Sequence, residues 1–340
     1  MSNLLPQEID NYVSIDLVIC TYNNAALLDR ALTAISEQQV PTSVKWTVLV
    51  VNNNCTDETS QVVDRYIQSQ KIPYLSTVFE PKQGLNHARH CGVENTTGDW
   101  IAFVDDDCML DADWVAEAAK FAFSHPECGA FGGKVILDWE TQPPAYVLKY
   151  GYSFAQQDHG MSVTQPNCLV GAGLVINRKA ILDTQWLNKQ FLSDRIGKKL
   201  VSGGDVEIVL RIRSAGYDIW YNPACKLMHF ITARRIEHKY LININYGLGI
   251  SQLMSNTLVW HSSYFSWLFE SVFSTFLSCL DVLKQALKIA VGRGYMEGVE
   301  IPIVWAFVRG KWAGIVRIIC MDMQERRSLL GAAKLASSNN

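Results

Sequence analysis

Short apolar runs alternate with helically spaced apolar positions through the first 140 residues. IDLVIC at 15–20, WTVLVV at 46–51, LSTVF at 75–79 and WIAFV at 100–104 have strand length and β-branched or aromatic content. Between them Leu27, Leu28, Ala31 and Ile35, then Val62, Val63, Tyr66 and Ile67, then a stretch after Gly84, repeat at helical spacing. Near-continuous apolar strands joined by helices predict a parallel sheet covered on both faces, with right-handed crossovers. Ligands of such a sheet sit beyond the carboxyl ends of its strands, so polar residues there carry the functional reading.

Three polar clusters occupy those ends: Thr21, Tyr22, Asn23 and Asn24; Asn52, Asn53 and Asn54 with Thr56 and Asp57; and Asp105, Asp106 and Asp107. Each has a plain alternative as a helix cap. For Asn24 and Asp57 the cap is the favoured reading, because both stand where a side-chain oxygen can accept from the first N–H groups of a helix. Tyr22 and Asn52 have no evident capping role. From about 129 to 230 the pattern is mixed, punctuated by Gly132, Gly133, Gly171, Gly173, Gly203 and Gly204. Beyond Ile231 it changes again, and 240–269 contains no Asp, Glu, Lys or Arg.

Composition narrows the class. The 340 residues are 49% hydrophobic and 19% charged, enough for a large core and unlike a disordered chain. A net charge of -3 gives no reason to expect a nucleic-acid partner. Nine cysteines, an odd number without a C-x-x-C pair, read as reduced thiols. The N-terminus lacks the basic and apolar regions of a secretory signal, so the expected location is cytoplasmic, with a peripheral place on the cytoplasmic face of the inner membrane as a further expectation.

Three adjacent carboxylates raise one another's pKa unless a cation or hydrogen-bond donors compensate. Asp105, Asp106 and Asp107 therefore point to a divalent cation, Mg²⁺ or Mn²⁺, shared with substrate phosphates; the alternative is a solvated acidic turn before a helix that Asp111 would cap. Lys82, Asn86, His87 and Arg89 lead into that strand, and Arg89 reads either as a phosphate contact or as a surface ion pair. Farther on, Asp205 follows Ser202, Gly203 and Gly204 and precedes a helical run. It either caps that helix or serves as a general base. His229, at the end of the next apolar strand, is either structural or a metal ligand.

Taken together, SIDLVICTYNN, VLVVNNNCTDET, GLNHARHCGVENTTGDWIAFVDDDCML and SGGDVEIVLRIRSAGYDIWYNPACKLMH resemble glycosyltransferase family 2, the inverting nucleotide-sugar enzymes of the GT-A fold. Within that family the chain is similar to bacterial, especially cyanobacterial, enzymes of exopolysaccharide synthesis. The resemblance spans about residues 13 to 230 and implies an α/β, Rossmann-like GT-A fold. By this reading 1–12 is a tail, 13–235 the catalytic domain (13–128 nucleotide-sugar-binding, 129–235 acceptor half), and 236–340 a helical C-terminal segment. It implies that Thr21, Tyr22 and Asn52 bind the nucleobase and that Lys82, Asn86 and Arg89 lie near the donor diphosphate. Asp105 and Asp107 match the Asp-x-Asp positions, with Asp107 the direct metal ligand, Asp105 or Asp106 near the ribose, and His229 completing the metal site. Asp205 matches the second acid of the family's Glu-Asp pair, the general base. Two positions depart from the pattern: Asn52 stands where many members carry Asp, and Gly204 replaces the Glu of the pair, leaving Glu207 as the reserve base.

The implied activity is inverting, metal-dependent transfer of a sugar from a nucleotide-diphosphate sugar, with UDP the expected nucleotide, to a hydroxyl on a sugar or lipid-linked sugar acceptor in surface polysaccharide or glycolipid synthesis. A non-catalytic nucleotide- or sugar-binding subunit and a sugar nucleotidyltransferase are the competing readings, although CTYNNAALLDR lacks the glycine-rich basic loop the latter needs. The segment 257–290 has helical spacing interrupted by Glu270, Asp281, Lys284 and Lys288, short of the roughly 20 apolar residues of a clear membrane span. With Trp305, Arg309, Lys311, Trp312 and Arg317 beyond it, contact of 257–320 with a membrane surface is expected, against packing on the catalytic domain or dimerisation.

Overall fold

The computed structural model describes residues 13–192, 203–292, 294 and 296–332; the tail at 1–12 and Ser202 lie outside them. The apolar runs form β1 (Ser14–Thr21), β2 (Lys45–Asn52), β3 (Leu75–Phe79) and β4 (Trp100–Asp105). They are parallel neighbours in the order β3-β2-β1-β4, joined by helices α1 (Ala25–Ser36), α2 (Thr59–Ser69) and α3 (Leu85–Glu94). Thr21 pairs with Asn52 and Cys20 with Asp105, so the polar clusters end on one rim. Leu28, Leu32 and Ile35 of α1, Val63 of α2 and Trp114 of α4 (Trp114–Ser124) cover one face of the sheet. Ala88 and Val93 of α3, Ile181 of α5 (Arg178–Asp183) and Ile208 and Ile212 of α6 (Gly204–Ser214) cover the other. Both faces are therefore buried, which is why the strands read as nearly unbroken apolar runs.

The mixed region completes an eight-stranded sheet. β7 (Leu174–Asn177) runs antiparallel to β4 and to β6 (Cys128–Trp139), and β6 runs parallel to β8 (Asp218–Ile231). The short β5 (Cys108–Leu110) folds back from β4 onto β8, pairing Cys108 with His229. Phe230 N–H then donates to the Asp107 carbonyl at 2.9 Å. Sequence spacing alone did not announce this pairing.

Among the described residues four α-helices follow: α7 (His238–Leu258), α8 (Tyr264–Ala290), α9 (Ile301–Ile319) and α10 (Met323–Leu329). Leu241 and Ile244 of α7 pack against Val147, Tyr150 and Phe154 of a 3₁₀ turn (Val147–Phe154) of the sheet domain. Glycines let α7 and α9 touch backbone to backbone: a Cβ at Gly249 would lie 2.1 Å from the Phe307 carbonyl oxygen, and one at Gly310 2.1 Å from that of Tyr246. Helix α8 differs. It buries Trp267, Ser271, Thr275 and Val282 but leaves most of its apolar surface uncovered, and it is long and apolar enough to cross a membrane by length and composition.

At the amino-terminal end of the sheet, Asp16 is buried at 4% exposure inside an otherwise apolar strand. Its carboxylate accepts from Thr47 Oγ1 (2.6 Å), Thr97 N–H (2.9 Å) and Gly98 N–H (2.6 Å), and lies 3.5 Å from the Arg178 guanidinium. One side chain thereby ties β1 to β2, to the turn entering β4 and to the start of α5. Asp16→Ala strands buried donors and a cation, and is expected to cost about 3 kcal/mol, read as a lower urea midpoint at unchanged slope.

Candidate active site

A cleft of about 840 Å³ opens at the carboxyl ends of β1, β2 and β4. Thr21, Tyr22, Asn24, Asn53, Arg89, Asp105, Asp106, Asp107, Asp205 and His229 all line it, with Thr232, Arg234, Arg235, Lys239, Tyr240 and Asn243 on the side of α7. Of the residues expected from the sequence, Tyr22 is 42% exposed at its edge and Arg89 is buried at 4%, its guanidinium 5.7 Å over the Phe103 ring.

The loops after β1 and β2 are stapled together, and this corrects one cap assignment. Asn24 makes no capping bond; its Nδ2 donates to Asp106 Oδ1 at 2.8 Å instead. Asp57 supplies the missing acceptor, taking Ala25 N–H of α1 at 3.0 Å as well as Thr59 N–H of α2 at 3.2 Å. Asn23 holds Thr56 N–H at 2.7 Å from a left-handed backbone conformation that asparagine tolerates. Asp111 does not cap the helix after the triplet either: α4 begins at Trp114, and Asp111 pairs with Lys226.

Three residues expected at the donor do not line the cleft. Asn52 is used within its own loop, accepting Cys55 N–H at 2.8 Å and donating to Ser60 Oγ at 3.1 Å. Its neighbour Asn53 faces the cleft and clamps the next loop, accepting Gly84 N–H at 2.7 Å and donating to the Lys82 carbonyl at 2.7 Å. Lys82 thus contributes its backbone, while Asn86 donates to the Leu192 carbonyl at 2.7 Å. Glu207, the reserve base, is fully buried; it accepts from the backbone of Phe191 and Leu192 and pairs with Arg211. It cannot reach an acceptor. Asp205, in the first turn of α6, does line the cleft.

The carboxylate triplet divides its burden. Asp106 turns inward and accepts from Thr21 Oγ1 (2.6 Å) and Asn24. Burial first, and then the Asp107 charge, push its carboxyl up to about 7 against those two hydrogen bonds. Asp107 Oδ2 faces His229 Nε2 at 3.2 Å and Arg235 Nη1 at 2.9 Å. The other ring nitrogen of His229, Nδ1, lies 2.8 Å from the Phe154 carbonyl, which only accepts. Nδ1 therefore carries a hydrogen, which leaves Nε2 as the ring nitrogen available to a metal, on the same spot as the Asp107 oxygen. Two electron-pair donors converging there fit a divalent cation. The Cys108 sulfur lies within 4.8 Å of both, but burial pushes its thiol well above the ordinary value and it belongs to the core. Arg235 was not anticipated from the sequence; the run TARRIEHKY directly after the His229 strand was its only signal.

Known proteins resemble this chain in sequence and in fold. Residues 16–181 match the family model "Glycosyl transferase family 2". A glucosyl-dolichyl phosphate glucuronosyltransferase of Haloferax volcanii is 22% identical over 253 residues, covering 72% of this chain and 78% of the relative. The glycosyltransferase AglE of the same organism is 27% identical over 209 residues, covering 61% of this chain and 64% of the relative. The succinoglycan biosynthesis protein ExoM of Rhizobium meliloti is 29% identical over 108 residues, 32% of this chain and 34% of its own. Among solved structures, the mannosyltransferase PcManGT of Pyrobaculum calidifontis, in complex with GDP-Man and Mn²⁺, superposes with TM-score 0.53 at 19% identity, over 95% of this chain and 80% of that one. GalNAc-T7 with UDP, GalNAc and Mn²⁺ gives 0.52 at 12% identity, over 73% and 50%. These likenesses establish the GT-A fold.

Gly171 reports on how the cleft works. A Cβ there would lie 2.8 Å from Asp205 Oδ2 and 2.9 Å from Arg89 Nη2, so the missing side chain is what lets those two groups approach this wall. Gly171→Ala is expected to cut turnover of a nucleotide sugar about tenfold, near 1.4 kcal/mol of barrier, with an unchanged melting temperature. Unaltered turnover would show that Asp205 and Arg89 need not hold these positions.

Proposed function

We propose that this chain, whose residues 16–181 match the family model "Glycosyl transferase family 2", transfers a sugar, with inversion, from a nucleoside-diphosphate sugar to a hydroxyl of a sugar or lipid-linked sugar acceptor. A UDP-sugar is the expected donor, and surface polysaccharide or glycolipid synthesis the expected setting. One observation carries this reading: Arg89, the Asp105–Asp107 triplet, Asp205 and His229, from four separate parts of the chain, line a single cleft.

Each residue has a definite task in such a transfer. Thr21, Tyr22 and Asn53 border the nucleotide end. Arg89 offers positive charge to the phosphates, whose negative charge grows as the bond to the anomeric carbon breaks. Asp107 and His229 would hold Mg²⁺ or Mn²⁺, which supplies Lewis-acid stabilisation of the leaving diphosphate. Asp106, locked to Thr21 and Asn24, fixes the strand end on which Asp107 stands. Asp205 takes the proton of the acceptor hydroxyl as its oxygen forms the new bond to the anomeric carbon, and the nucleoside diphosphate leaves from the opposite side. One displacement inverts the configuration without a covalent intermediate.

The uncovered side of α8 is the surface we propose for membrane contact. Phe265 (79% exposed), Phe269 (71%), Phe273, Phe276, Leu283 and Leu287 (68%) follow one another at helical spacing along it. A face of that kind lies in the plane of a bilayer interface, and each Phe buried there contributes about 2 kcal/mol. It would bring the cleft to a lipid-linked acceptor, the class of substrate named in the Haloferax glucuronosyltransferase.

Two measurements test these assignments. With a panel of UDP-, GDP- and dTDP-sugars, Mn²⁺ and a lipid extract as acceptor source, the wild type should release nucleoside diphosphate from one donor. Asp205→Asn should lower kcat by about a thousandfold and leave nucleoside diphosphate affinity unchanged; undiminished turnover in that variant removes Asp205 as the base. Separately, wild type should sediment with phosphatidylglycerol vesicles, and a Phe265→Ser, Phe269→Ser, Phe273→Ser variant should lose at least about tenfold of that binding. Equal sedimentation of both proteins rules out α8 as the contact.

A further inference from the structure

Among the described residues near the triplet, Arg235 has incomplete hydrogen bonding. Its Nη1 lies 2.9 Å from Asp107 Oδ2 and 3.2 Å from His229 Nε2, in contact with both atoms that would hold a metal. Its Nε and Nη2 are buried without any partner. The side chain is 11% exposed and belongs to the wall of the cleft. A guanidinium has five donors in a planar fork suited to two oxygens of a phosphate, and leaving two of its nitrogens dry and unpaired is costly. The ring of Tyr240, 5.9 Å away, covers part of the group but accepts no conventional hydrogen bond from it.

From this geometry we propose that Arg235 is an exchangeable cation. Its Nη1 here contacts both Asp107 and His229 and balances the crowded carboxylates. When the metal–nucleotide diphosphate arrives, the guanidinium yields Asp107 and His229 to the metal and turns its fork onto the diphosphate. The proposal rests on the reading of the cleft as the donor site, and it adds a consequence that reading lacks. A free divalent cation must compete with a guanidinium for Asp107, so metal alone binds weakly. Metal accompanied by a diphosphate binds well, because the displaced guanidinium gains phosphate oxygens for its stranded Nε and Nη2. Metal and nucleotide affinities are therefore coupled through one side chain, and the coupling is reciprocal.

Arg235→Gln should move the two affinities in opposite directions, which a merely structural role would not do. Titrated with Mn²⁺ alone, followed by the loss of the free-ion electron paramagnetic resonance signal, the variant should bind about tenfold more tightly than wild type. By calorimetry at saturating Mn²⁺, its affinity for UDP or GDP, whichever the wild type prefers, should fall about tenfold. Affinity for the corresponding nucleoside, which lacks the diphosphate, should be unchanged. Arg235→Lys keeps the charge but not the fork; it should resemble wild type towards Mn²⁺ alone and still bind the diphosphate less well, and it serves should the glutamine variant fail to fold. Unchanged Mn²⁺ affinity in Arg235→Gln, or unchanged diphosphate affinity in Arg235→Lys, overturns the proposal. A wild type that binds no nucleoside diphosphate overturns instead the donor-site reading beneath it.

Discussion

Crowding of negative charge at the end of β4 governs the architecture around it. Three carboxylates in succession leave a buried strand, and each extra charge raises the cost of its neighbours. The fold meets this by sending them in different directions. Asp106 turns back to Thr21 and Asn24, where its carboxyl is pushed up to about 7. Asp107 turns towards His229 and Arg235. Both solutions depend on distant parts of the chain being delivered to one place, and most features of the cleft can be understood as the means of delivery.

Delivery on the His229 side is the task of the antiparallel β5–β8 pair. β5 has three residues and carries no pattern of its own, yet its register with β8 places Asp107 beside His229. The 3₁₀ turn at Val147–Phe154 adds the carbonyl that orients the imidazole. Helix α7 then seats on that same turn through Leu241 and Ile244. Arg235, just before it, and Lys239, Tyr240 and Asn243, in its first two turns, enter the cleft as a result. The helical segment is thus joined to the site at its first turn and becomes a separate structure only farther along, where Gly249 and Gly310 lock α7 to α9 and α8 is left with an uncovered apolar face.

Polar residues at the strand ends divide into two kinds that look alike in the sequence. Asn23, Asn52 and Asp57 mainly hold loops in shape, through bonds to Thr56, Cys55 and Ala25. Asn53 both holds a loop and faces the cleft. Asn53 faces the cleft and Asn52 turns to its own loop, and nothing in the run NNN says which does which. The capping assignment of Asn24 went astray for a related reason. A cap is a local bond, whereas Asp106, which takes the Asn24 amide, lies 82 positions away. Glu207 followed the same course: its position near Asp205 suggested a base, but helical geometry turns it to the backbone of Phe191 and Leu192.

Local periodicity was sufficient for the parallel half of the sheet. IDLVIC, WTVLVV and WIAFV are largely buried on both faces, and such burial writes itself into the sequence as nearly unbroken apolar runs, whereas LSTVF is the partly exposed edge strand. The triplet and Asp205 were legible because charge at a strand end or helix start is conspicuous against such runs. Register, side-chain direction and long-range pairing leave no comparable trace. The β5–β8 alignment, the choice of Asn53 over Asn52 and the entry of Arg235 between Asp107 and His229 each depend on contacts between segments far apart in the chain, and only the packed tertiary structure decides those.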